Sequence, residues 1–127
     1  MTVDPRQTVL QFVELFNARD LNGMLGLIDD NVVTVFEPGA EAIPGKMAWK
    51  QGMRFFLEIG LPLQLDIRFV HQSGDTALVI SDWMIEGDAP GGNAIRMQGT
   101  GADVLRRDSS GKWLYLIDNP FGTALHS

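Results

Sequence analysis

Three aspartates stand inside strand-like runs that are otherwise mostly apolar, and a glutamate closes a fourth. Asp82 lies in TALVISDWMIEG, Asp103 in AIRMQGTGADVLRRD and Asp118 in KWLYLIDN, while Glu37 directly precedes Pro38 in VVTVFEPG. A carboxyl set among Leu, Ile and Met loses the water that stabilises its charge, so its pKa rises unless a cation or a donor compensates. Groups of that kind suit proton transfer near neutral pH. Glu37, Asp103 and Asp118 are the candidate catalytic residues, and their types alone do not choose among them.

Alternation within each run says which neighbours every acid keeps. Ile95, Met97, Gly99, Gly101, Asp103 and Leu105 share one face, and Leu114, Leu116 and Asp118 share another. Closing the hairpin over Ser109 and Ser110 pairs Arg107 with Lys112. Asp103 then lies opposite Leu116, with Asp118 its diagonal neighbour, roughly 7–8 Å away. In the preceding run Asp82 falls in with Leu78, Ile80 and Met84. On this pairing Ile80, Asp82, Met97 and Leu116 share the acids' face, which would be desolvated, paired or open onto a cavity, and Trp83, Trp113 and Tyr115 share the opposite one. The competing assignment makes the aromatic face the core and leaves the acids in solvent, and a slip of one residue exchanges the two.

Other chemistries are poorly supplied. The 127 residues contain no Cys, which removes disulfides, thiolate zinc sites and cysteine nucleophiles together. Two His at unrelated positions make no metal motif, so no metal and no cofactor are expected. A net charge of -6 without any basic run argues against a nucleic-acid partner held through its phosphates. The opening MTVDPRQTVL has neither the charged nor the apolar part of a signal peptide, and no apolar run spans a membrane. A cytoplasmic protein is expected, with no membrane partner.

The elements that must position these acids are legible in outline. Asp4 caps a first helix with Pro5 at its first position, and Val9, Phe12, Val13 and Phe16 recur at helical spacing. Asp20 opens a short second helix. A strand over Val32–Gly39 follows, then a third helix from Gly45 to Gly60 that carries Trp49, Met53 and Phe56. The remainder alternates as four meandering strands, with Gly99 and Gly101 predicted to mark a bend or bulge. Helices first and strands after predict one α+β domain over 1–127, its helices covering one face of a curved antiparallel sheet. The helices would bring Phe12, Phe16, Trp49, Met53 and Phe56 to the pocket.

The element order, VFEPG, GTGADVLRRDSSGKW and the closing LIDNPFG resemble the SnoaL-like proteins. These belong with ketosteroid isomerase in the nuclear transport factor 2-like superfamily, in a group largely without assigned function. The resemblance implies a cone-shaped fold: three N-terminal helices packed on a strongly curved antiparallel sheet, enclosing an apolar pocket. It further implies a homodimer through the outer sheet face, where Trp83, Trp113 and Tyr115 would lie. Against ketosteroid isomerase, Glu37 stands where the proton-shuttling carboxylate does, and Asp103 matches the protonated aspartate that donates to the oxyanion. The oxyanion-donating Tyr of the first helix is replaced by Phe12. The implied activity is acid/base chemistry on a small apolar carbonyl compound: isomerisation, cyclisation or dehydration. The alternatives are a non-catalytic pocket for a small hydrophobic ligand and a dimerisation module.

Overall fold

The computed structural model describes residues 4–126. Asp4 caps α1 (Pro5–Asn17) by accepting the Gln7 amide at 3.0 Å, and Asp20 does the same for α2 (Leu21–Leu25) from Gly23 at 2.9 Å. The next strand, β1 (Ile28–Thr34), begins and ends earlier than the sequence predicts, since Val35 to Gly39 already form the loop that leaves it. A two-residue strand, β2 (Ile43–Pro44), leads into α3 (Lys46–Ile59). Gly60, in the left-handed region at φ 79°, stops that helix. The chain finishes with β3 (Leu63–Ser73), β4 (Thr76–Asp88), β5 (Ala94–Arg107) and β6 (Trp113–Asp118).

The six strands form one sheet in the order β2-β1-β6-β5-β4-β3. It is mixed rather than purely antiparallel, because β1 runs parallel to β6, pairing Thr34 with Asp118. Only α1 and α2 precede the strands; α3 comes after β1 and β2. Val9, Phe12 and Phe16 of α1 and Trp49 of α3 pack on the inward residues of the sheet, including Val79, Ile85, Leu105, Trp113 and Tyr115. Far from the cavity, Arg106 donates to both oxygens of the buried Asp29 at 2.9 Å, tying β5 to the start of β1.

The β5–β6 register decides which side chains face inward. Arg107 pairs with Trp113 and Leu105 with Tyr115, one residue away from the Arg107–Lys112 pairing that the hairpin predicts. Beyond that point Val104 pairs with Ile117, so Leu116 is an extra residue, a β-bulge. Trp113 and Tyr115 therefore point into the core, at 1% and 4% exposure. The bulge reverses the alternation, so Asp118 points inward as well. Continuing the Val104–Ile117 pairing sets Asp103 level with Asp118. The two competing assignments of the faces thus hold in part together: the aromatics are core, and two of the three acids face inward with them.

The outward placement of Trp83, Trp113 and Tyr115 is corrected by this register, and the outer face must be read from other residues. Gly99 and Gly101 also take on a different meaning. They lie under the chain that follows β6: a Cβ on Gly99 would stand 3.1 Å from the Pro120 carbonyl oxygen, and one on Gly101 would stand 3.3 Å from that of Asn119. The glycines admit a strap that crosses the inner face of β5.

Candidate functional site

Between α1, α3 and the sheet lies a cavity of about 110 Å³. Phe12, Phe16, Trp49, Met53 and Phe56 line it from the helices, as the sequence predicts. From the sheet come Leu63, Leu65, Ser81, Trp83, Ile85, Asp103, Tyr115 and Asp118, and from the loop and strap Phe36, Pro120 and Phe121. The walls are apolar apart from Ser81 on β4 and one concentration of polar groups, where Thr34, Asp103, Tyr115 and Asp118 meet on neighbouring strands.

Asp103 and Asp118 stand side by side there. Each keeps some accessible surface, but that surface faces the cavity, so most of the hydration of a charge is lost. Enclosure raises the Asp103 carboxyl well above the ordinary carboxylate range, and the neighbouring Asp118 raises it further. The Asn119 amide, donating to Asp103 Oδ1 at 2.7 Å, opposes this only in part. Enclosure raises Asp118 too, but the Trp49 Nε1–H donates to its Oδ2 at 2.8 Å and Asp103 supplies a second hydrogen bond, both favouring the anion. The pair therefore holds one proton on Asp103, which donates it toward an Asp118 carboxylate. Two like charges this close in an apolar surround do not both ionise near neutral pH.

Tyr115 borders the pair. Burial, then the charges of Asp103 and Asp118, push its phenol well above the usual value, so it stays a hydrogen-bond donor. Its ring lies 5.2 Å from that of Phe12. The strap is fixed by Trp83, whose Nε1 donates to the Pro120 carbonyl at 2.7 Å.

The remaining predicted site residues lie elsewhere. Glu37 is exposed on the loop after β1 and does not line the cavity, because the strand ends three residues before it. Asp82 is on the outer face, half exposed, accepting from Thr100 Oγ1 at 2.7 Å beside Arg68. Ile80 shares that outer face by alternation. Met97 packs against the core without reaching the cavity, and Leu116 is the bulge residue. Tyr115, Trp83, Ser81 and Thr34 were not predicted to line the cavity; the unbroken aromatic alternation of Trp113 and Tyr115 was their available signal. Among the described residues no cluster of three or more His, Cys, Asp or Glu could hold a metal ion. No helix among them is long and apolar enough to cross a membrane.

A mixed sheet capped by helices, with an acid pair in an apolar cavity, defines a pocket-bearing α+β domain. Residues 9–116 match the SnoaL-like domain, and the chain belongs to that family. No curated protein matches the sequence. Among solved structures, a conserved protein from Planctomyces limnophilus superposes with a TM-score of 0.79 at 17% identity, covering 89% of this chain and 88% of that one. A ketosteroid isomerase-like protein from Erwinia carotovora atroseptica gives 0.70 at 20% identity, with 89% and 88% covered. A Mycobacterium tuberculosis protein in complex with estradiol-17β-hemisuccinate gives 0.64 at 22% identity, with 87% of each chain covered. At these identities the likeness concerns the fold.

Proposed function

We propose that the cavity binds a small, mostly apolar carbonyl compound and that the Asp103–Asp118 pair moves a proton on it. The observation that carries this reading is the placement of two carboxyls side by side in an apolar cavity wall beside the buried Tyr115 phenol. The Asp118 carboxylate takes a proton from the carbon alpha to the carbonyl, breaking the C–H bond and forming an O–H bond. Negative charge then develops on the substrate oxygen. Once Asp118 is protonated it no longer draws the Asp103 proton, so Asp103 and Tyr115 both donate to the enolate. Return of the proton at another carbon is isomerisation, attack on an internal electrophile is cyclisation, and loss of a β-hydroxyl is dehydration. Tyr115 thereby fills the donor role that Phe12 leaves open. Glu37 has no part in this scheme.

The steroid ester held by the mycobacterial neighbour supports a ligand of this general kind. The test is exchange of the alpha protons of 2-tetralone in D2O, followed by NMR. Wild type should accelerate exchange, and Asp118→Asn should lose about 10²–10⁴ of that acceleration. Exchange no faster than in buffer, or equal in the variant, refutes the catalytic reading. Tetralone binding that persists without any exchange would instead identify a carrier. A homodimer through the outer sheet face is part of the same proposal, with the face now carrying the exposed Phe69 and Leu78 beside Ile80. Light scattering that gave a monomeric mass would remove it.

A further inference from the structure

The cavity wall holds one more hydroxyl that the acid pair does not use. Ser81 on β4 is 2% exposed and lines the cavity among apolar neighbours, pairing with Ile67 on one side and Gly101 on the other. Its hydroxyl makes no hydrogen bond among the described residues. Yet it is not sealed: the one buried side-chain polar atom there without a partner and without access is Thr34 Oγ1. Thr34 lines the cavity but its Oγ1 keeps no accessible surface, whereas the Ser81 hydroxyl keeps access on the cavity side. An apolar wall gains nothing from an unpaired hydroxyl, which loses its water on enclosure at a cost of about 1–3 kcal/mol if nothing replaces it. Alanine would fill the same place without that loss.

Position adds to the argument. Val79 pairs with Asp103 and Ser81 with Gly101, so Ser81 is the diagonal neighbour of Asp103 on the same face. Such positions lie roughly 7–8 Å apart. Gly101 between them carries no side chain, and the strap's Asn119 carbonyl and Pro120 lie over it. The wall therefore offers two polar points, the acid pair with Tyr115 and Ser81, separated by about the width of two fused rings.

We infer that Ser81 is a ligand-binding hydroxyl, and that the cavity's ligand is an apolar molecule oxygenated at two separated points, one met by the acid pair and the other by Ser81. This rests on the reading that the cavity takes an oxygenated apolar ligand, and it specifies the substrate class for that site.

Calorimetric titration with 2-naphthol and with 2,6- and 2,7-dihydroxynaphthalene tests it. 2-Naphthol is planar and apolar, and its phenolic oxygen resembles an enol; the diols add a second oxygen on the far ring. Wild type should bind at least one diol roughly threefold to tenfold more tightly than 2-naphthol, the worth of one neutral hydrogen bond. Ser81→Ala should abolish that gain while leaving 2-naphthol affinity within about twofold, with a thermal midpoint no lower than wild type. Ser81→Cys, nearly the same size but a weak donor, provides the second variant and should behave like alanine. A diol preference that survives in both variants, or one absent from wild type, overturns the Ser81 assignment and leaves the cavity reading standing. Failure of 2-naphthol to bind wild type overturns the cavity reading and this inference with it.

Discussion

Replacing Asp103 by Asn should make the protein more stable at neutral pH and less sensitive to pH. The folded chain holds a proton on Asp103 that the unfolded chain releases near pH 4. Below that value both states are protonated and the group costs nothing. As pH rises from there toward the raised folded value, folding must take up a proton, and stability falls by about 1.4 kcal/mol per pH unit. Asparagine reproduces the protonated acid: its carbonyl oxygen accepts the Asn119 amide and its NH2 donates to Asp118. Urea unfolding at half-unit steps from pH 4 to 8 gives the comparison, with every other titrating group cancelling between the two proteins. The difference should be small at pH 4 and grow in favour of Asp103→Asn by up to about 1.4 kcal/mol per unit. Parallel curves, or a variant that loses ground as pH rises, would show that Asp103 ionises normally and that the acid pair is misread.

Two further substitutions probe the same wall. Trp49→Phe keeps the packing near Phe12 but removes the donor to Asp118; it should cost about 1–3 kcal/mol and move the rising limb of any pH–rate profile to higher pH, because the carboxylate has lost a hydrogen bond that favours it. An unmoved limb would separate Trp49 from Asp118 energetically. Gly52→Ala in α3 would ordinarily gain about 1 kcal/mol in helix propensity. Here the new Cβ would stand 2.4 Å from the Phe36 ring, so the ring must shift, the gain should vanish or reverse, and binding of 2-naphthol should weaken. A variant stabilised by the full propensity difference would show that Phe36 does not rest there.

The helices and strand order were legible because each rests on local signals that nothing distant overrides. Asp4 with Pro5, Asp20 and Gly60 act within a turn of where they stand, and the two capping aspartates bond the amides three residues on. The five helical cavity residues were legible for the same reason, since helical spacing fixes a face without reference to a partner. The sheet is different: a strand's alternation defines two faces but not which one is covered, and that choice depends on register. Register here departs by one residue at Arg107, and the bulge at Leu116 restores the parity of Asp118 without restoring that of Trp113 or Tyr115. Asp118 therefore reached the cavity by a route that alternation does not describe, and Tyr115 arrived with it. The strap shows the same limit. Gly99 and Gly101 signal a close approach, but the approaching segment lies some twenty residues later, and strand periodicity carries no trace of a chain that folds back across it. What the sequence hid was thus the meeting of β6, its bulge and the strap, which is where the two acids come to share a proton.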